Sequence, residues 1–509
     1  MTDQPTATTP ESQGKRAISH SAIYAFGNIS RQLAGFIMLP VYTRHLTPAD
    51  YGVVGLLIAA MSLIEVLFGA RLAQAVPRFY YDQPDEKSRR AIISTALAVT
   101  ATASLITLAA LLLLREPIAQ FLFNSNDYGL IVGLFSTLLL TQAIEYYALT
   151  YIRILERPWL FVSLSFGKLI LQLGLNIWLV VFQDLGVLGV AIGSASASAI
   201  FATVLGVYTV AKAGIQIKTP IAGTMLNYCW PLWLGGLAGL YMGSADRYYI
   251  NLFNSTTEVG LFELATKFAA VLSVLVWQPF DQYWQTERFK IYRTTNAPEV
   301  YGKVFQAICI LLMGAALGIS LFSKPVIMLM ASPEFYPAAN AIPFLCASAA
   351  LSCLNVYCNL PFLVSDRTLW ISKNTYITAG ILTILFVVLI PSFGFVGAAA
   401  ASSTAFLVQF LLIYYRGKSL YNMHIPVNIL IKSLLVFSTG SAISFLIQIE
   451  SITISIILNL LLYLIFGGVL VIMLLKDPAA GLLLSQSFPR IFAGMLAIKK
   501  RLRLNIKGV

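Results

Sequence analysis

The chain has 509 residues, of which 58% are hydrophobic and only 11% charged, with a net charge of +12. Its mean hydropathy is +0.78. A water-soluble fold cannot bury that much apolar surface, so the composition excludes the soluble classes and points to an all-α polytopic membrane protein.

Apolar runs of about 20 residues, each long enough to cross a hydrocarbon core of roughly 30 Å, recur along nearly the whole chain. They lie near 18–40, 51–71, 91–113, 129–150, 160–182, 187–210, 222–244, 258–280, 303–322, 338–363, 370–390, 394–415, 428–448 and 453–475. That makes about fourteen spans, joined by linkers too short to fold as a soluble domain. The start, "MTDQPTATTPESQGKR", is polar and reads as disordered; the apolar segment after it is too long and too Arg-interrupted for a cleaved signal peptide.

Basic residues fall in alternate connections. One set holds Lys15 and Arg16, Arg78, Lys87, Arg89 and Arg90, Arg153 and Arg157, Lys212 and Lys218, Arg288, Lys290 and Arg293, Arg367 and Lys373, Arg416 and Lys418, and the tail "KKRLRLNIK". The other set holds only Arg44, Arg115 and Lys324 beside Asp127, Asp184, Glu334 and Glu450. By the positive-inside rule both termini are cytoplasmic, and the net charge reflects this bias rather than nucleic-acid binding. Cys229, Cys309, Cys346, Cys353 and Cys358 lie in apolar segments without metal-ligand spacing, so no redox chemistry, metal or cofactor is expected.

The stretch "LTPADYG" ends at Gly52, and a looser copy, "NSTTEVG", ends at Gly260, an offset of 260 − 52 = 208. The same offset relates "GVLGVA" from Gly186 to "GFVGAA" from Gly394, and "LERPWL" around Arg157 has a counterpart in "SDRTLW" around Arg367, displaced by 210. The chain is therefore an internal duplication of about six helices per copy. Six is even, so the copies are parallel repeats related by an axis along the membrane normal, two lobes around a central cavity. The expected division is a disordered cytoplasmic segment 1–16, an N-lobe 17–215, a C-lobe 216–420, two extra helices within 421–476 and a basic tail 477–509. Within each copy the motif acts locally. Its acid complements the helix dipole, and Thr47 or Thr256 supplies capping oxygens.

Chemistry is sought where charge lies at membrane depth, because an ionised side chain there costs at least about 2.5 to 3.5 kcal/mol on insertion scales. Arg31 falls in the middle of the first span with Tyr24, Asn28 and Gly35 on its face; Lys168 heads a stripe in the fifth span with Gln172 and Asn176 at i+4 and i+8. No acid lies within a turn of either on its own helix, which leaves snorkelling or a watery cavity. Arg247 follows Asp246 in "SADRYY", and Lys267 has Glu263 one turn before it; both pairs read equally as structural or functional. Glu65 and Glu145 are the remaining deep acids, either ion-coupling sites or counter-charges to Arg31 and Lys168, with Asp246 and Glu263 as further coupling candidates. Surplus positive charge suits an anionic ligand, whereas a drug-cation exporter would show the opposite sign.

The run "GNISRQLAGFIMLPVYTRHLTPADYGVVGLLIAAMSLIEVLFGARLAQAVPRFY" and the stretch "SADRYYINLFNSTTEVGLFELATKFA" resemble polysaccharide biosynthesis flippases, the Wzx-type O-antigen and exopolysaccharide translocases of the multidrug/oligosaccharidyl-lipid/polysaccharide exporter superfamily. The resemblance covers about residues 17–420. It implies a two-lobed bundle in the bacterial cytoplasmic (inner) membrane. That bundle moves an undecaprenyl-pyrophosphate-linked oligosaccharide between leaflets by alternating access, with polysaccharide polymerase machinery as a candidate partner. By position it places Arg31, Lys168, Arg247 and Lys267 in the cavity. A peptidoglycan-precursor flippase and a multidrug antiporter of the same superfamily stay open. A membrane polymerase or ligase is disfavoured because the outward connections are short, only His45 lies near one, and no nucleophile, paired-carboxylate or metal-ligand spacing appears.

The charge pattern yields a labelling prediction. Cysteine placed at Asn126 or Ser332 is expected to react with an impermeant thiol reagent added outside the cell, and cysteine at Ser88 or Ser419 is not; the reverse pattern would overturn the orientation.

Overall fold

The computed structural model describes residues 35–36, 38–68, 72, 75–447 and 451–475. Among these the regular structure is helical, with no strand. The helices are α1 (Leu39–His45), α2 (Pro48–Phe68), α3 (Glu86–Leu113), α4 (Gly129–Ile154), α5 (Pro158–Ile177), α6 (Gly186–Ala213), α7 (Thr219–Phe253), α8 (Thr256–Leu272), α9 (Gln278–Tyr292), α10 (Ala297–Met330), α11 (Ile342–Tyr357), α12 (Leu369–Leu420), α13 (Val427–Leu446), α14 (Ile452–Leu462) and α15 (Gly468–Leu475), joined in places by shorter turns. In hydrocarbon every backbone polar group must be satisfied within its own segment, which is why the apolar runs become helices.

Eleven helical segments among the described residues are long and apolar enough to span a membrane, and the chain is a multi-pass membrane protein. This count and the expected fourteen differ at three places. The expected spans 370–390 and 394–415 are two helices that meet at the non-helical Gly394 and are numbered together as α12, so they count once. The span near 222–244 falls in the 35-residue α7, which is not among the eleven. The first span, like the terminal segments 1–16 and 477–509, lies outside the described residues except for its last few positions.

The chain forms two compact units, up to Asn251 and from Leu252 onward. The boundary differs from that expected at 215/216, because α7 packs within the first unit. Met225 and Cys229 join Leu72, Val76, Ile92, Tyr147 and Tyr151 in one buried cluster. The stretch of backbone before α7 is pinned to α3, with the Gln216 N–H donating to Ser94 Oγ at 2.8 Å and the Lys218 N–H to Thr95 Oγ1 at 3.0 Å. At its far end Asn251 Nδ2 donates to the Leu122 carbonyl at 2.6 Å.

The duplication is written into the backbone of both units. Glu156 (φ 51°) and Asp366 (φ 53°), 210 residues apart, both take the left-handed conformation that closes a helix. The following Arg N–H reaches back five residues in each copy, Arg157 to Ile152 at 3.2 Å and Arg367 to Phe362 at 2.9 Å. Gly186 and Gly394 are likewise both at positive φ, 52° and 56°.

The two acidic caps have diverged. In the first unit Asp50 Oδ2 accepts from the Thr47 N–H at 3.0 Å while Thr47 Oγ1 accepts from the Asp50 N–H at 3.2 Å, a reciprocal cap of the start of α2. In the second the capping oxygen is Ser255 Oγ, which accepts from the Glu258 N–H at 3.3 Å. Ser255, rather than Thr256, is the counterpart of Thr47. Glu258 is thereby released from the cap, and its carboxylate accepts from the Phe395 N–H at 2.9 Å. One duplicated motif clamps the other, and a Cβ at Gly394 would collide with that carboxylate.

A stability order follows. Gly186→Ala strains only the backbone, since its Cβ would meet open space, and should cost about 1 to 2 kcal/mol. Gly394→Ala adds displacement of Glu258 and should lower the unfolding midpoint in detergent further. Adding Glu258→Ala should recover part of the Gly394→Ala loss; no recovery would show that the collision is not what limits stability there.

Candidate functional site

The polar stripe of α5 knits three neighbours together. Lys168 Nζ lies 2.6 Å from Glu145 Oε2 on α4. One turn on, Gln172 Nε2 donates to Ser194 Oγ on α6 at 3.2 Å. Another turn on, the buried Asn176 donates from Nδ2 to the Tyr42 hydroxyl on α1 at 2.6 Å, with its Oδ1 packed where a side chain at position 193 would otherwise stand. The eight residues from Lys168 to Asn176 span about 12 Å of helix, so the stripe is a vertical seam through the first unit.

Beside it is a cavity of about 100 Å³ lined by Glu145, Ser165, Lys168, Gln172 and Phe201. At roughly 30 Å³ per water it has room for a few solvent molecules. Ser165 Oγ is buried there without a protein partner, which marks the cavity as a place for water.

The other expected residues form two further pairs. Arg247 donates from Nη1 to Asp246 Oδ1 at 2.7 Å and to the Gly243 carbonyl at 2.9 Å, near the end of α7. On α8, Lys267 Nζ lies 2.7 Å from Glu263 Oε1. Glu65 sits half-buried on α2. Arg31 and Asn28 lie outside the described residues, as does Tyr24.

All three pairs share one asymmetry. The carboxylate side chain is 8 to 10% exposed, while its cation partner is 21% exposed at Lys168, 14% at Arg247 and 35% at Lys267. The acid is the more buried member of each pair and the cation the more accessible one. An ammonium has three N–H donors and Lys168 gives one to Glu145, so the pairing positions the cation while leaving it able to bind an anion.

The absence of an acid near Lys168 on its own helix is resolved by a neighbouring helix: Glu145 stands as its counter-charge. Ser194 and Tyr42, the partners of Gln172 and Asn176, carry no sequence signal that marks them, since other hydroxyls stand beside them and the partners lie on other helices.

Among curated proteins no sequence matches the chain. The fold is similar to a solved structure of the Lipid II flippase MurJ in an inward closed conformation. The TM-score is 0.65 at 13% identity, covering 89% of this chain and 98% of that one. It is also similar to an inward-facing multidrug resistance MATE family transporter of the MOP superfamily, with a TM-score of 0.55 at 16% identity over 76% of this chain and 95% of that one. Residues 18–281, just over half of the 509, match the model described as "Polysaccharide biosynthesis protein", and the chain belongs to that family.

Proposed function

We propose that the chain is a flippase for an undecaprenyl-pyrophosphate-linked oligosaccharide, moving it across the cytoplasmic membrane by alternating access for cell-surface polysaccharide synthesis. The observation that carries this reading is the family match over residues 18–281, a range that contains Lys168, Arg247 and Lys267. A flippase for a lipid-linked diphosphate needs donors for that group, and the cations held by buried carboxylates are its candidates. No chemical step on the substrate is part of the reading.

The pairs suit transport rather than tight storage. A bare ammonium at this depth would hold a pyrophosphate strongly, while one already compensated by Glu145 or Glu263 exchanges part of one anionic partner for another. Binding is weakened and release is eased, as a carrier with a site exposed in turn to both sides requires.

The decisive arrangement is purified chain in liposomes. A fluorescent undecaprenyl-pyrophosphate oligosaccharide is expected to move between leaflets faster than in empty vesicles. Movement of a peptidoglycan precursor alone would replace this reading with the peptidoglycan one, and movement of neither would sink both.

Residue tests must separate transport from folding. Removing one partner of a buried pair costs about 3 to 5 kcal/mol because the other charge is stranded. Lys168→Met alone is therefore expected to reduce both protein level and transport. The double variant Lys168→Met with Glu145→Leu should restore the unfolding midpoint to near the parent value while transport stays at least about tenfold down, the loss of roughly one charge-assisted contact. Recovery of transport in the double variant would make the pair structural only.

Driving force is a separate question. An inside-negative potential favours outward movement of an anion by about 2.3 kcal/mol per charge per 100 mV, so an imposed potassium-diffusion potential at equal pH and sodium should change the rate. A rate indifferent to it, responsive to a pH or sodium step and lost in Glu65→Gln or Glu145→Gln would instead assign ion coupling to those carboxylates.

A further inference from the structure

In the second unit the start of α12 and its last turns meet at one end, and two cations there share one indole. Arg416 places its guanidinium carbon 4.5 Å from the centre of the Trp370 ring, and Lys373 places Nζ 4.8 Å from the same centre. Neither cation has a carboxylate within ion-pair distance among the described residues, unlike Lys168, Arg247 and Lys267. Arg416 is held in place by a bond from Nη1 to Asn374 Oδ1 at 3.1 Å. Asn374 is fully buried, and its Nδ2 donor has no acceptor. The cluster is rich in donors and lacks an anion. Trp370 stands in the first turn of the helix, and no side chain caps that end, Thr368 included. The positive dipole end therefore adds to the field.

The duplication supplies an independent control. At the positions of Trp370, Lys373 and Asn374, displaced by 210, the first copy has Leu160, Ser163 and Leu164; at the position of Arg416, displaced by 208, it has Tyr208. The first copy keeps the fold, the left-handed turn and the Arg157 counterpart of Arg367 without any of the four. The quartet is thus present in one copy only, and the architecture does not require it. Two like charges on one ring repel, and an anionic ligand between them would offset that cost.

We propose that Trp370, Lys373, Asn374 and Arg416 form a binding site for the phosphate of a lipid headgroup at the membrane surface. The two cations bracket the phosphate, and Asn374 orients Arg416 from below. The indole serves as an interfacial anchor that fixes the site at headgroup depth, the level at which Trp is favoured. The site lies within the second unit, whereas the Lys168 seam lies within the first, and it does not depend on the transport reading. Its phosphate has two possible sources, an anionic phospholipid of the bilayer or a lipid-linked diphosphate.

The test is lipid retention on the purified full-length protein in neutral detergent, read by native mass spectrometry. The probes are dioleoylphosphatidylglycerol, dioleoylphosphatidylcholine and undecaprenyl pyrophosphate. Phosphatidylglycerol should be retained in preference to phosphatidylcholine. Lys373→Gln and Arg416→Gln should each weaken that retention about tenfold, the size of one charge-assisted contact. Arg416→Lys should fall between, since it keeps the charge and loses the planar fork, and the exposed Lys290→Gln should change nothing. Displacement of phosphatidylglycerol by substoichiometric undecaprenyl pyrophosphate would identify the lipid-linked diphosphate as the occupant; failure to displace it would identify the phospholipid. Should Arg416→Gln unfold because Asn374 is stranded, the exposed Lys373→Gln decides alone. Unchanged retention in Lys373→Gln, or no preference for phosphatidylglycerol, overturns the proposal.

Discussion

A charge in hydrocarbon has to be compensated locally, and the arrangement of this protein follows from how it meets that requirement. Water is absent as a screening medium, so each deep ammonium or guanidinium needs a partner within hydrogen-bond reach. Glu145, Asp246 and Glu263 are those partners for Lys168, Arg247 and Lys267. In every case the carboxylate is the deeper member, so the pair is anchored from the acid side. That choice decides which charge remains available. An anchored cation can still serve an anion, whereas an anchored carboxylate can serve a cation only by letting go.

The backbone obeys the same rule through its ends. A helix leaves unpaired N–H groups at its start and carbonyls at its close, and within a membrane protein those ends must be finished by local means. The copies finish them alike where the geometry is rigid: Glu156 and Asp366 both turn left-handed, and Gly186 and Gly394 both take positive φ. They differ where a side chain can be reassigned. Asp50 stays with its own cap, while Glu258 leaves capping to Ser255 and reaches the Phe395 N–H instead. Duplication preserved the conformations and let the hydrogen bonds drift.

What the sequence makes legible divides along the same line. Span positions and the repeat are properties of contiguous residues, so hydropathy and a constant offset recover them; even the left-handed acids stand at matched places in "LERPWL" and "SDRTLW". The i, i+4 pair Glu263 and Lys267 is legible because both ends lie on one helix. Lys168 and Glu145 are 23 residues apart on different helices, and no periodicity on either helix reports that their faces meet. The break between the spans 370–390 and 394–415 is legible too, since it falls at Gly394, the one non-helical residue of α12. The grouping of α7 with the first unit escapes a hydropathy reading because Ser94 and Thr95, which hold the connection before it, look like ordinary small residues in an apolar segment.

A feature present in both copies, such as the left-handed turn before Arg157 and Arg367, is explained by the fold they share and tells little about ligands. A feature present in one needs its own cause. The Lys168 seam belongs to the first copy; Glu145 compensates its charge from within, and Ser194 and Tyr42 hold Gln172 and Asn176. The Trp370 cluster belongs to the second and leaves Lys373 and Arg416 without a carboxylate, and the buried Nδ2 of Asn374 without an acceptor, among the described residues. The first arrangement thus carries its own counter-charge, whereas the proposed site in the second, at headgroup level, takes its counter-charge from a lipid phosphate.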